Sequence, residues 1–104
     1  MAVKLAAHHD LTAIQADFAA GRGRVTTKAL RDAQAINYTR ADICDVVAEL
    51  TQQDFVKSEP GQNGVPGNWH DTYNYDDVAG EMTLYLKFAG TTIVDVTLTS
   101  FKEK

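Results

Sequence analysis

The hydrophobic period of this chain changes near residue 55, and that change limits what it can fold into. Before it, apolar residues recur at helical intervals: Leu11, Ile14 and Phe18, then Leu30, Ala33 and Ile36, then Ile43, Val46, Val47 and Leu50. After it they alternate. Met82, Leu84, Leu86 and Phe88 interleave with Glu81, Thr83, Tyr85 and Lys87, as in a strand with one face buried. Helices first and hairpin-linked strands after predict an α+β fold. Its N-terminal helices pack on one face of a mostly antiparallel sheet, and the other face is left open.

Local signals divide the helical half. Asp10 is placed to cap a first helix, which Gly21 and Gly23 end, and Thr26 or Thr27 to cap a second ending near Asn37. "TRAD", residues 39–42, reads as a capping box at the head of a third helix, and "TQQD", residues 51–54, repeats the pattern for one short turn. Cys44 lies on the shoulder of the third helix's apolar stripe and reads as core rather than nucleophile. Strands are expected at residues 55–59, 69–75, 81–89 and 92–102, with "AGTT" as a hairpin turn. "PGQNGVPGN", residues 60–68, holds both prolines and three of the seven glycines and reads as a long loop. In the last strand Val94, Val96 and Leu98 share a face. Strict alternation would put Lys102 on that face too, beyond Ser100, so an end, twist or bulge is expected there.

The 104 residues suffice for one domain, residues 1–104. No apolar run approaches a membrane span, the N-terminus is too weakly apolar for a secretory signal, and a lone Cys44 cannot form an internal disulfide, so a cytoplasmic location is expected. The net charge of −4 argues against a general nucleic-acid binder. Charge is uneven, however: residues 1–40 hold six Lys/Arg and three Asp/Glu, residues 41–104 four and eleven. The basic group Arg22, Arg24, Lys28, Arg31 and Arg40 is either a polyanion footprint or a solvated helix face.

The chemistry-bearing residues match few templates. His8, His9 and Asp10 cluster near the terminus and His70 is distant, so no zinc spacing exists and no metal is expected. Phosphate-loop and dinucleotide fingerprints and a nucleophile elbow are lacking too, and no cofactor is expected. What remains is "DFVKS" (54–58), "NWHDTY" (68–73), the strand carrying Tyr85 and Lys87, and the terminal "SFKEK" (100–104). Taken singly, Trp69 reads as a core or rim aromatic and Lys57 and Lys102 as surface charges. His70 and Asp71, as strand neighbours, should point to opposite faces.

In combination these blocks carry a resemblance. "HDLTAI", "RVTTKAL", "DFVKS", "WHDTY", "LYLKF" and a terminal "SFKEK", in this order and spacing, make residues 9–104 similar to the MqsR family of type II toxin–antitoxin toxins. The resemblance implies a RelE-like fold and an endoribonuclease that cleaves single-stranded messenger RNA without the ribosome. It also implies neutralisation by an MqsA-like antitoxin, a repressor through which DNA would be met only indirectly. Carried over by position, it assigns catalysis to Lys57, Tyr85 and Lys102. His70 stands where the family usually has glutamine, and is a further catalytic candidate because imidazole can exchange a proton near neutrality. Val56 and Glu59 stand where tyrosine and methionine are usual. Lys87, Tyr73, Arg24 and Arg31 are candidates for RNA contact. The implied reaction is attack of a ribose 2′-hydroxyl on its own phosphate, with a base, an acid and cations but no metal. The rival reading is a homologue that keeps the fold and the antitoxin contact but has lost useful catalysis.

Overall fold

The computed structural model describes residues 6–60, 68–91 and 96–104. Three helices come first: α1 (Leu11–Ala19), α2 (Thr27–Ala35) and α3 (Arg40–Glu49). A short 3-10 turn (Gln52–Asp54) leads into four strands: β1 (Phe55–Pro60), β2 (Trp69–Asp77), β3 (Met82–Gly90) and β4 (Thr97–Glu103). They form one antiparallel sheet in the order β1-β2-β3-β4. Val25 adds a single parallel bridge to Leu98.

Each helix begins where its cap predicts. Asp10 accepts from Thr12 N at 3.0 Å, and Thr26 Oγ1 from Ala29 N at 3.1 Å. The Thr39/Asp42 and Thr51/Asp54 capping boxes are both closed. Gly21, with φ of 79°, follows the end of α1 in the left-handed region that glycine adopts without strain. Gln15 of α1 donates to the carbonyls of Val47 and Leu50 at 3.0 and 2.9 Å. Val47 lies in the last turn of α3 and Leu50 is its C-cap, so one amide ties the end of α3 to α1.

The core lies between the helices and one sheet face. Ile14, Phe18, Ala29, Ala33, Ile43 and Val47 meet Tyr73, Leu84, Leu86, Phe88, Leu98 and Phe101 there. Leu30 and Ile36, expected to be buried, are only partly so; the fully buried residues of α2 are Ala29 and Ala33, small side chains on the helix packed against β4. Cys44 sits at the edge of the core as expected. Asp71 is fully buried on the helix side, where its carboxylate accepts from Ser58 Oγ and from the backbone N–H groups of His8 and His9. These bonds satisfy a buried charge and strap the N-terminal segment to the sheet. The expected loop falls largely at residues 61–67, outside the described residues; of the expected turn, Ala89 and Gly90 end β3, and residue 92 lies outside the described residues.

Candidate active site

Two β-bulges decide which side chains reach the open face. Along β3, Leu84, Leu86 and Phe88 are fully buried, so Tyr85 and Lys87 point the other way. On β4 the pairing runs Tyr85↔Lys102 and Lys87↔Ser100, then jumps to Phe88↔Leu98, leaving Thr99 as the extra residue. Its hydroxyl donates to the Lys87 carbonyl at 3.2 Å. The bulge reverses parity, so Leu98 and Phe101 enter the core while Ser100 and Lys102 face outward. On β1 the pairing jumps from Phe55↔Tyr73 to Lys57↔Thr72. Val56 is the extra residue there and is 42% exposed. Phe55 packs on the core and Lys57 turns to the open face. Were both strands strictly alternating, Lys57 would share a face with Phe55, and Lys102 with Leu98.

Directly paired residues share a face, so the register defines three cross-strand rows. The middle row is Lys57–Thr72–Lys87–Ser100. On one side of it lies the row Asn74–Tyr85–Lys102, on the other the row Glu59–His70–Ala89. Successive rows are two residues, about 7 Å, apart. The Tyr85 ring is the hub of one side, with Lys102 Nζ 5.4 Å and Lys87 Nζ 5.8 Å from its centroid, both within cation–π range. Lys57 Nζ lies 3.4 Å from a Glu59 carboxylate oxygen. Both are partly exposed, so the pair is weak and exchangeable. Partial burial pushes the His70 pKa below its ordinary value, and the Lys87 ammonium pushes it further in the same direction. His70 is therefore held in its neutral, proton-accepting form near neutrality.

The structure brings together Lys57, His70, Tyr85, Lys87 and Lys102 on one face, and not the other three candidates. Tyr73 is corrected to a core residue. It has no exposed surface, pairs with Phe55 and Leu86, and packs edge-on against Phe88 at 5.9 Å. The parity that turns His70 outward turns Tyr73 inward, and burial raises its hydroxyl pKa. Arg31 is exposed on α2, in the layer on the other side of the sheet. Arg24 is exposed on the segment beside β4, where its carbonyl accepts from Leu98 N at 2.8 Å. Within the basic group of residues 22–40, Arg22 pairs with Asp17, Lys28 with Asp32, and Arg40 donates to the Gly23 carbonyl. Sequence reasoning missed Thr72, Asn74 and Ser100. Alternation counted from His70 identifies the first two, and the bulge at Thr99 identifies the third.

Two comparisons with known proteins bear on this geometry. The family profile described as "Motility quorum-sensing regulator, toxin of MqsA" matches residues 6–103. The "mRNA interferase toxin MqsR" of Escherichia coli (strain K12) is 34% identical over 97 residues, which cover 93% of this chain and 94% of that protein. The matched residues include all three helices and all four strands, so the chain belongs to the MqsR toxin family.

Proposed function

We propose that this protein is a metal-independent endoribonuclease toxin that cleaves single-stranded messenger RNA without the ribosome and is neutralised by an MqsA-like antitoxin. The observation that carries the reading is the convergence of Lys57, Tyr85 and Lys102 on one open face through two separate bulges. The name of the Escherichia coli relative and the family's description as a toxin of MqsA support the substrate and the partner.

The rows suit transesterification at phosphorus. A scissile phosphate seated over the middle row meets Lys57 and Lys87 as point charges, which stabilise the phosphorane as it forms. His70 lies one row to one side and Tyr85 one row to the other. Neutral His70 takes the proton of the 2′-hydroxyl as its oxygen bonds to phosphorus. The Tyr85 hydroxyl, flanked by Lys87 and Lys102, donates to the 5′-oxygen as the P–O5′ bond breaks. The products are a 2′,3′-cyclic phosphate and a 5′-hydroxyl. No metal is needed for this balance of bonds and protons.

The Glu59 carboxylate beside Lys57 favours a second reading, a weakened homologue that binds antitoxin without useful turnover. One set of variants decides. Lys57→Ala, Tyr85→Phe and Lys102→Ala are each expected to slow RNA cleavage about a hundredfold or more. Their stability should stay within about 0.5 kcal/mol of the parent, as for open-face substitutions generally. Leu84→Ala, on the buried face of the same strand, should cost roughly 2–5 kcal/mol. A parent protein with no cleavage above background supports the second reading, and unfolding of the lysine variants makes those side chains structural.

A further inference from the structure

The floor of the candidate site contains polar atoms that the fold leaves unsatisfied. Thr72 is only 2% exposed although it lies on the open face, and its Oγ1 has no hydrogen-bond partner among the described residues. Asn74 Oδ1, one row away beside Tyr85, is also buried and unpartnered. A buried hydroxyl without a partner destabilises the fold that contains it, and such groups are rare in folded proteins. A hydrophobic residue of similar shape would satisfy the packing better.

The neighbours of Thr72 indicate what its hydroxyl is for. It sits between Lys57 and Lys87 in the middle row, with Ser100 beyond. All four side chains donate hydrogen bonds, and the two lysines are cationic, which is the composition of a site for a phosphodiester. Among the described residues Lys57 makes one ion pair, the partly exposed one with Glu59, and an incoming phosphate can displace that carboxylate.

We propose that Thr72 is a further RNA-contacting residue, whose hydroxyl donates to a non-bridging oxygen of the phosphate seated between Lys57 and Lys87. This rests on the open face being the RNA site. The hydroxyl is satisfied only when phosphate is bound, so its desolvation is borne by the free protein and relieved in the complex. That makes an unusual joint prediction: removing the hydroxyl weakens RNA binding without weakening the fold.

The test uses the full chain and a fully 2′-O-methylated oligonucleotide spanning a site that the protein cleaves, so that binding is read without turnover. Thr72→Val should leave the Tm unchanged or raise it and weaken binding about tenfold, the equivalent of one hydrogen bond to a charged group. Thr72→Ser, which keeps the hydroxyl, should restore most of the affinity. Lys57→Ala and Lys87→Ala test the underlying reading separately: if neither weakens binding, the open face is not the RNA site and both readings fall. If they do weaken it while Thr72→Val binds as the parent does, only the threonine contact is overturned. A lower Tm for Thr72→Val, or equal loss of affinity with valine and serine, also overturns it, since the residue would then act through packing.

Discussion

If His70 is the base proposed above, one side chain carries the proton transfer at this site. Glutamine, which the family resemblance puts at this position, can orient a substrate but cannot exchange a proton near neutrality. The imidazole can, and burial with the Lys87 ammonium lowers its pKa. Two consequences follow. In activity, the rate should fall as pH drops through the lowered His70 value, beneath the ordinary value of about 6.5, and His70 becomes protonated; His70→Gln should remove that limb while keeping part of the rate. A pH–rate profile unchanged by His70→Gln would limit His70 to packing or binding. In stability, the unfolded chain holds more protons than the fold between the lowered value and about 6.5. The fold should therefore lose stability as pH falls through that window, with no further loss from this group once pH is below both values.

The element scale explains why the two outer lysines reach the open face at all. Phe55 and Lys57 have the spacing of same-face residues, as do Leu98, Ser100 and Lys102. Alternation alone puts both lysines against the core. An irregularity in β4 was legible because strict parity sets Lys102 among apolar residues, but it lies at Thr99 rather than beyond Ser100. The bulge on β1 was not, because a strand of six residues gives too few alternations to expose a break. The helices were read closely, caps included, because each cap is a local pattern of side chain and backbone. The inward turn of Tyr73 was missed for a different reason: the "WHDTY" block was weighed as a unit, whereas the pleat divides it between faces. Deleting Val56 tests this register directly. It makes Phe55 and Lys57 strand neighbours opposite Tyr73 and Thr72, and alternation then keeps Lys57 on the open face, so cleavage should persist. Val56→Ala, which keeps the residue count, should stay active too. A deletion as inactive as Lys57→Ala would contradict the pairing that puts Val56 as the extra residue.

At the scale of the whole molecule, an acidic protein presents a locally cationic face. The net charge of −4 is concentrated elsewhere, including a cleft lined by Asp42, Asp45, Glu49 and Asp77 together with Tyr38 and Tyr75. The Tyr38 hydroxyl bonds Asp77, and burial together with that carboxylate raises its pKa to about 12. A distribution of this kind orients an approaching polyanion toward the lysines. If Lys57, Lys87 and Lys102 are the phosphate contacts, the logarithm of RNA affinity should fall with the logarithm of salt concentration with a slope of about −2. Lys87→Ala should make that slope shallower by about 0.7, and no change in slope would remove Lys87 from the contact set. The central claim is the chemistry itself, and the ends of the cleaved RNA report it most directly. Cleavage by the purified protein in excess chelator should proceed and leave a 2′,3′-cyclic or 3′-phosphate on one product and a 5′-hydroxyl on the other. Products with 5′-phosphate ends, or activity lost in chelator and restored by a divalent ion, would contradict attack by the 2′-hydroxyl over the Lys57–Thr72–Lys87 row.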